Sequence, residues 1–419
     1  MTIMRSVNSL VIGAGITGLA YGSRCKSEYL IVEKDLTPGG MCRTFYRDDY
    51  VWDYAGHFFH FKSTDMKKYF ESRIPKEQMV ICEKNTKIYY GGQYIDYPFQ
   101  MNIHQLPKKD FIDCLYDLHF REQKDSFDSF ENMLYGKFGK SITEKFLKPY
   151  NQKLYACDLN KLDVDAMGRF FPYASEDEII QNMKGSGKSS YNDTFEYPKR
   201  GAQRFVDALL EDIPDDRLLL GVMVERVDLK EHIAYLSDGQ AISYERLINT
   251  IPFDDFVRMA DMPDEGLENL SANKVLVFNL GFDREPCQRD IHWVYYPEQE
   301  YCFYRVGFYN NILGADNMSL YVEIGYNTKV NIDIDMMLQR VIADLKQCKV
   351  IVDHKLCSWN YVEINPAYVH ITKNSNEYIK KMFGFLNERN VYSIGRYGGW
   401  KYCSIEDCML EAIALADSV

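Results

Sequence analysis

The chain has 419 residues, with 61 acidic and 49 basic side chains and a formal net charge of −12. This acidic balance argues against a nucleic acid or an anionic membrane as partner, and no apolar run reaches the roughly 20 residues that a membrane-spanning helix needs. The length exceeds the size of one hydrophobic core, so two or three packed units are expected. Eleven cysteines without CxxC or metal-ligand spacing predict free thiols, no metal site and a cytoplasmic protein.

The first predicted element is a buried strand at residues 10–12 that runs directly into a glycine-rich turn. Gly13, Gly15 and Gly18 have GxGxxG spacing, and the next apolar run ends in Glu33, followed by Lys34. In this motif the first glycine permits the turn, the second lets a pyrophosphate approach the backbone, and the third lets a helix pack on the strand. An acid at the position of Glu33 accepts hydrogen bonds from ribose hydroxyls. The pattern predicts a dinucleotide-binding βαβ unit.

A second glycine pair, Gly39 and Gly40, follows the strand that ends in the acid, and Arg43 comes three residues later. The minimal NAD fingerprint has no such pair. The Gly39-Gly40 pair resembles the second loop of flavoproteins of the amine-oxidase and protoporphyrinogen-oxidase superfamily, in which the backbone passes close to FAD. An ordinary turn with a surface arginine is the plain alternative. Beside the first motif, the pair favours FAD.

Farther along the chain, Gly56 and His57 lie in an aromatic stretch. A packed histidine is the plain interpretation, but its position after the two glycine loops favours a cofactor contact. Residues 80–98 alternate as antiparallel strands do around a Gly91-Gly92 turn. A polar, glycine-containing run at about 184–190 is equally typical of a connector and of a lid over a ligand.

We therefore expect an α/β fold (α+β overall) made of interleaved units. Their predicted ranges are 1–60, 199–265 and 385–419 for a Rossmann-like FAD-binding domain, 104–184 for an inserted helical domain, and 61–103 and 270–384 for an antiparallel sheet domain. Within the last of these a helix is predicted at about 335–347. The closing helix carries Ile405, Met409, Ile413 and Ala416 on one face, and the strand–glycine pattern repeats at Gly395 before it.

Six ordered stretches resemble the UDP-galactopyranose mutases, most closely their eukaryotic branch, and together they extend over nearly the whole chain. They are Gly56-His-Phe-Phe, Tyr97-Pro-Phe-Gln-Met-Asn-Ile, Pro149-Tyr-Asn-Gln-Lys-Leu-Tyr155, Asn192-Asp-Thr-Phe-Glu-Tyr-Pro198, Tyr295-Tyr-Pro-Glu with Phe303-Tyr-Arg305, and Gly395-Arg-Tyr-Gly-Gly-Trp-Lys-Tyr402.

This resemblance implies a FAD-binding α/β domain, a helical domain and an antiparallel sheet, with the substrate cleft between them. It also implies an isomerase that needs reduced FAD but makes no net redox change. In that family flavin N5 attacks the anomeric carbon of a UDP-sugar, UDP leaves, and the sugar recloses as the furanose. The expected reaction converts UDP-galactopyranose, or a related nucleotide sugar, for cell-surface polysaccharide biosynthesis.

The resemblance also assigns site residues in three groups. The catalytic residues it implies are Arg305 and Arg169, because guanidinium groups suit a leaving diphosphate, and His57, which matches the histidine of the loop beside the flavin ring. Its cofactor residues are the five glycines of the two loops, Glu33, Lys34, Arg43, Gly56, His57, Gly395, Arg396 and Trp400. Its substrate residues are Tyr97, Phe99, Gln100, Asn151, Tyr155, Asn192, Tyr295, Arg305, Tyr368 and Tyr402. The run at 184–190 matches a mobile flap of the family.

The chain departs from the family pattern in ways that leave the identity of the sugar open. Arg169 follows Gly168 directly, one position earlier than the family's second diphosphate arginine. No asparagine follows Tyr402, and Tyr155 stands where eukaryotic members have tryptophan. An oxidase of the amine-oxidase superfamily and a non-catalytic flavin or nucleotide-sugar binding protein are the alternatives. The oligomeric state, including a homo-oligomer, is left open.

Overall fold

The computed structural model describes residues 4–122, 124–185 and 194–419. Within these ranges the strands, in chain order, are β1 (Met4–Ile12), β2 (Tyr29–Glu33), β3 (Thr44–Arg47), β4 (Tyr50–Asp53), β5 (Met79–Glu83), β6 (Thr86–Tyr90), β7 (Gln93–Asp96), β8 (Thr194–Pro198), β9 (Leu218–Leu220), β10 (Val224–Asp228), β11 (Ile233–Leu236), β12 (Ala241–Asn249), β13 (Asn273–Phe282), β14 (Trp293–Tyr295), β15 (Arg305–Phe308), β16 (Ser319–Asn327), β17 (Leu356–Ile364) and β18 (Val391–Ser393).

The α-helices alternate with these strands and are concentrated between β7 and β8. They are α1 (Ile16–Gly22), α2 (Thr64–Glu71), α3 (Lys108–His119), α4 (Phe130–Ile142), α5 (Lys148–Tyr155), α6 (Glu176–Met183), α7 (Gln203–Leu210), α8 (Phe253–Met259), α9 (Tyr309–Leu313), α10 (Ile334–Gln347), α11 (Lys373–Asn387), α12 (Gly395–Gly398) and α13 (Ile405–Ser418). A π-helical segment, Thr143–Leu147, joins α4 to α5.

The first sheet is built around a parallel centre in the order β12–β1–β2–β9. β18 pairs in parallel with the end of β12, and β10 and β11 add an antiparallel edge. In register, Leu10 of β1 lies between Leu30 and Leu247, and all three are buried. Strands covered on both faces need apolar side chains throughout, which explains the apolar run at residues 10–12. The predicted Rossmann-like α/β fold is confirmed.

The second sheet has the order β17–β13–β16–β15–β14–β6–β7 and is antiparallel except for the pair β14 and β6. Its register places Tyr295 opposite Arg305, and Arg305 opposite Glu323. Residues directly opposite each other on neighbouring strands share a face of the sheet. One face therefore carries a row of a phenol, a guanidinium and a carboxylate.

Some local predictions are confirmed and others are corrected. The Gly91-Gly92 turn joins β6 and β7 as predicted, and α10 matches the helix predicted at 335–347. β5, however, pairs with β8 rather than with that hairpin. On α13 the predicted apolar face packs on one hydrophobic core, with Met409 and Ala416 buried and Ile405 and Ile413 partly buried. The helix also buries Glu406, whose carboxylate accepts backbone N–H groups from residues 62 and 63.

Every cysteine lies in the described ranges, and each of the eleven thiols is free. Among the helices that the structure describes, none combines the length and apolar character needed to cross a bilayer.

Candidate active site

The first glycine turn lies at the end of β1 and has the geometry that the motif requires. Gly13 adopts a φ of +101°, a region that glycine enters without strain. A Cβ on Gly18 would lie 2.0 Å from the carbonyl oxygen of Gly13, so only glycine lets α1 pack this closely. Glu33 accepts hydrogen bonds from the backbone N–H groups of Ala14 at 2.7 Å and Asp35 at 3.0 Å. Its carboxylate is thus fixed at the end of β2, beside the turn.

The second glycine pair packs directly against the first turn. The Gly39 N–H donates to the Ala14 carbonyl at 2.7 Å, and a Cβ on Gly40 would lie 3.1 Å from the Cα of Gly15. Arg43 donates from Nε to the Gly40 carbonyl at 2.9 Å and from Nη2 to Asp35 at 2.7 Å. Arg43 therefore shapes the second loop itself. The two backbones form one glycine-lined surface.

A third segment, the start of α12, lies against α1. Gly395 has a φ of +81°, and a Cβ there would lie 2.5 Å from Thr17 Oγ1. The next residue, Arg396, places its guanidinium 4.5 Å from the ring centre of Tyr402 and donates to the Cys403 carbonyl at 3.1 Å. Trp400 is buried, and its Nε1–H has no partner within the described ranges. This segment thus brings Arg396 next to Tyr402 and to Tyr368, whose ring centre is 5.3 Å away.

His57 lies between the first domain and the second sheet. Burial, together with the nearby guanidinium groups of Arg396 and Arg305, lowers the pKa of His57 to about 4. Its buried Nδ1 has no hydrogen-bond partner among the residues described. The imidazole is therefore neutral at pH 7 and keeps one ring nitrogen for a group from outside the protein.

A cavity of about 280 Å³ lies where α5, the second sheet, the segment 56–62 and the start of α13 meet. Its polar and aromatic lining includes Tyr97, Tyr150, Asn151, Trp293, Tyr295, Arg305, Tyr368 and Tyr402, with Lys62, Lys84, Arg169 and Glu406. Five of the residues predicted from the sequence as substrate contacts therefore line one cavity together with Arg305: Tyr97, Asn151, Tyr295, Tyr368 and Tyr402.

Arg305 is held by the carboxylate directly across the sheet. Its Nε and Nη2 donate to the two oxygens of Glu323 at 2.8 and 2.6 Å, and Glu323 is only 1% exposed. Burial opposes the charge, but Glu323 and the neighbouring tyrosine rings hold the pKa of Arg305 well above its usual value. Glu323 occupies Nε and Nη2, and the Tyr295 phenol also lies within hydrogen-bonding reach of the guanidinium. A fixed cation is thus part of the cavity wall.

Tyrosines surround this cation. Tyr295 accepts a hydrogen bond from Trp293 Nε1 at 3.1 Å and packs 5.1 Å from the rings of both Tyr97 and Tyr150. On the other side, Tyr368 and Tyr402 stack with ring centres 5.9 Å apart. Burial raises the pKa of Tyr97 and Tyr150 well above the usual value near 10. The phenols therefore stay protonated near neutral pH and can donate hydrogen bonds to an anion.

Arg169 also lines the cavity, but its guanidinium is paired with the carboxylate of Asp407 on α13. Its Nη2 lies 2.5 and 2.6 Å from the two carboxylate oxygens of Asp407. Its guanidinium also lies 4.4 Å from the ring of Phe170. The side chains of Arg169 and Asp407 are 39% and 32% exposed, in contrast to the buried pair of Arg305 and Glu323.

The remaining predicted substrate residues lie elsewhere. Of these, Phe99 is fully buried and stacks on Phe146 at 5.1 Å, and Gln100 is fully buried and donates to the Pro172 carbonyl. Tyr155 packs behind Tyr368 at 5.8 Å. Within the described part of the chain these three support the cavity wall from outside. Asn192 and most of the predicted flap at 184–190 fall outside the described residues.

Several cavity residues were not predicted as site residues. Tyr150 has a sequence signal, because positions 150, 151 and 154 share one face of a helix and Asn151 was already a candidate. Lys62, Lys84 and Glu406 have no such signal. They come from segments far apart in the chain, and only the packing of those segments brings them to one cavity.

The residues present fit a bound FAD. The joined glycine loops leave the space that side chains would fill, Glu33 stands at the end of β2, and the buried polar atoms of His57 and Trp400 have partners to gain from a ligand. The glycine loops would hold the pyrophosphate and Glu33 the ribose, and His57 and Trp400 would contact the ring system.

Comparisons with known proteins agree with this fit. The family model described as flavin containing amine oxidoreductase matches residues 26–419. A reduced UDP-galactopyranose mutase has a similar structure, with a TM-score of 0.92, 23% identity, and coverage of 98% of this chain and 93% of that one.

Two further solved structures share the fold. A protein from Exiguobacterium sp. 255-15 with the provisional name protoporphyrinogen oxidase matches with a TM-score of 0.79, 16% identity and 99% coverage of both chains. A CLA-producing fatty acid isomerase from P. acnes matches with a TM-score of 0.68, 13% identity and 98% coverage of both. Since the family model covers nearly the whole chain, the protein belongs to the flavin-containing amine oxidoreductase family, and its cofactor is FAD.

Proposed function

We propose that this protein is a FAD-dependent mutase that interconverts the pyranose and furanose forms of a UDP-sugar, UDP-galactose or a close relative. The observation that carries the proposal is Arg305, a partly buried cation fixed by the buried Glu323 in the wall of a tyrosine-lined cavity. A preoriented guanidinium suits a diphosphate that must bind, leave and return. The fold similarity to a UDP-galactopyranose mutase supports the same assignment.

In this proposal Arg305, beside Tyr295, binds the diphosphate through the guanidinium edge that Glu323 does not use, and it stabilises the charge that develops as UDP leaves. Tyr295, Tyr368 and Tyr402 donate hydrogen bonds from their hydroxyl groups to the same oxygens. Reduced FAD, when bound, would supply the nucleophile for the anomeric carbon. Neutral His57 would orient the cofactor through a hydrogen bond rather than through charge.

The nucleotide end of the substrate would lie along α5. Asn151 has a buried Oδ1 without a partner among the described residues, and its Nδ2 donates to the Leu147 carbonyl at 2.6 Å. An oxygen acceptor fixed in this way suits a base N–H. Tyr97 and Tyr150 present aromatic faces for stacking at the same end.

The test is incubation of the dithionite-reduced, FAD-loaded protein with UDP-galactopyranose, followed by chromatographic separation of the furanose product. We expect turnover with reduced protein and none with oxidised protein. If neither form converts any UDP-hexose, the proposal is wrong.

The family name raises oxidation of an amine as a second candidate. A cationic amine would meet the Arg305 guanidinium inside the cavity, which disfavours its binding. Anaerobic mixing of oxidised protein with amines would bleach the flavin if this candidate were correct.

The predicted domain ranges and a cytoplasmic role in cell-surface polysaccharide biosynthesis remain parts of the mutase proposal.

A further inference from the structure

One face of α5 lines the cavity and another faces the second sheet. Tyr150, Asn151 and Leu154 line the cavity, whereas Lys153 reaches the sheet. The Lys153 Nζ donates to the carbonyl oxygens of Tyr296 at 2.9 Å, Glu298 at 2.7 Å and Phe303 at 2.8 Å. An ammonium has three protons, so these three carbonyls use its full donor capacity.

The three carbonyls belong to the segment 296–304, which joins β14 to β15. This segment begins after Tyr295 and ends before Arg305, so it connects two residues of the cavity wall. Its own backbone is closed by a hydrogen bond from the Tyr296 N–H to the Tyr304 carbonyl at 2.9 Å. The Tyr304 N–H in turn donates to the Glu323 carbonyl at 3.0 Å. Lys153 therefore binds the loop that positions Tyr295 and Arg305.

The carboxyl end of α5 is fixed to the same sheet by other contacts. Asn273 Nδ2 donates to the Leu154 carbonyl at 2.6 Å, and its Oδ1 accepts the Tyr368 N–H at 2.8 Å. A Cβ on Gly325 would lie 2.1 Å from the Lys153 carbonyl oxygen, so β16 approaches the helix end as closely as glycine allows. The helix end thus touches the supports of Tyr368 as well as those of Arg305.

We propose that Lys153 is a positioning residue that sets the distance between the α5 wall and the Tyr295–Arg305 wall of the cavity. The inference rests on the proposed function, because it assigns the cavity between these walls to the UDP-sugar. Lys153 acts on the ligand only through the 296–304 segment. Its three carbonyl contacts define where that segment lies relative to Tyr150 and Asn151.

The same helix offers a matched control. Lys148, at the first position of α5, lies 2.6 Å from Glu131 of α4, so it ties α5 to the helical region and not to the sheet. A change at Lys148 removes an ion pair from α5 but leaves the 296–304 segment attached. The two lysines therefore separate general stability of α5 from the position of the loop.

The experiment compares Lys153→Met and Lys148→Met in the full-length, FAD-loaded protein. Hydrogen exchange of peptides covering 296–304 measures the loop, and titration of the reduced protein with UDP measures the cavity. We expect Lys153→Met to raise both the exchange rate and the UDP dissociation constant by about 10-fold, because charge-assisted hydrogen bonds are lost. Lys148→Met should change neither.

Lys153→Gln, which keeps an amide donor, provides a milder variant with the same expected direction if Lys153→Met does not fold. Unchanged exchange at 296–304 in both Lys153 variants overturns the inference. Faster exchange with unchanged UDP affinity overturns it as well, since the loop would then move without affecting the cavity. If the wild-type protein does not bind UDP, the proposed function fails, and the exchange data alone still decide whether Lys153 holds the loop.

Discussion

The cavity contains two guanidinium groups, each engaged by a carboxylate, but their settings differ. Arg305 and Glu323 are paired by sheet register, and their side chains are 20% and 1% exposed. Arg169 and Asp407 meet between a short 3₁₀ turn and the first turn of α13, and are 39% and 32% exposed. A buried pair cannot lose one member without leaving an uncompensated charge, whereas water screens the exposed pair. The first pair is therefore a rigid part of the site, and the second contributes little to stability.

Removing the carboxylate of the buried pair should produce the largest effect. Glu323→Ala leaves the Arg305 guanidinium buried without its counter-charge, and we expect the free energy of unfolding to fall by about 3–5 kcal/mol. Urea denaturation of the FAD-loaded protein measures this change. A loss below about 1 kcal/mol would mean that Arg305 turns to solvent at little cost, as exposed ion pairs do.

Removing the cation should affect both the fold and the reaction, because Arg305→Ala leaves the Glu323 carboxylate buried without its counter-charge. Arg305→Ala should lower the turnover of UDP-galactopyranose by about 30- to 1000-fold, which corresponds to about 2–4 kcal/mol of lost stabilisation. Arg305→Lys keeps the charge but cannot reproduce the forked contact with Glu323, so it should recover only part of the rate. Full activity in either variant would contradict the role of Arg305.

The pH dependence of stability tests whether burial and the nearby Arg305 and Arg396 keep His57 neutral. Its pKa is lowered from 6.5 to about 4 in the folded protein, so the unfolded chain binds more protons between these values. The contribution of His57 to the free energy of unfolding is therefore fully present above pH 6.5. It is lost as the pH falls toward 4, by about 1.4 kcal/mol per pH unit.

Denaturation of wild type and His57→Asn at pH 7, 6 and 5 isolates the contribution of His57. The subtraction is needed because burial raises the pKa of Asp53 to about 7, which gives a pH dependence of opposite sign in the same range. Parallel pH profiles of the two proteins would show that His57 titrates normally and that the cations near it exert no effect.

The sequence predicts the features that depend on neighbouring residues. Gly13, Gly18 and Gly40 were identified because local backbone geometry and close packing require glycine at fixed spacing, and these requirements appear in the linear order. Arg305 was found through a resemblance, but its partner Glu323 was not, since strand register alone places a carboxylate opposite it.

Contacts between distant segments could not be predicted in this way. Asp407 is 238 positions from Arg169, and Lys62 and Lys84 come from separate connections between elements. Their shared location depends on how these distant segments pack against one another. Phe99 and Gln100 belong to a stretch that resembles the UDP-galactopyranose mutases, yet packing places their side chains in the core behind the cavity.

The exposed pair should give the smallest effect. Because Arg169 is held by Asp407 and screened by water, we expect Arg169→Ala to change turnover by less than about 5-fold and stability by less than about 1 kcal/mol. Asp407→Asn is the matching change on the acid side, and it removes the carboxylate that binds Arg169. If Arg169→Ala instead costs 100-fold or so in rate while Asp407→Asn tightens UDP binding, the diphosphate and Asp407 compete for the same guanidinium. Arg169 would then exchange partners when the substrate arrives, and the one-residue shift in its sequence position would carry no functional loss.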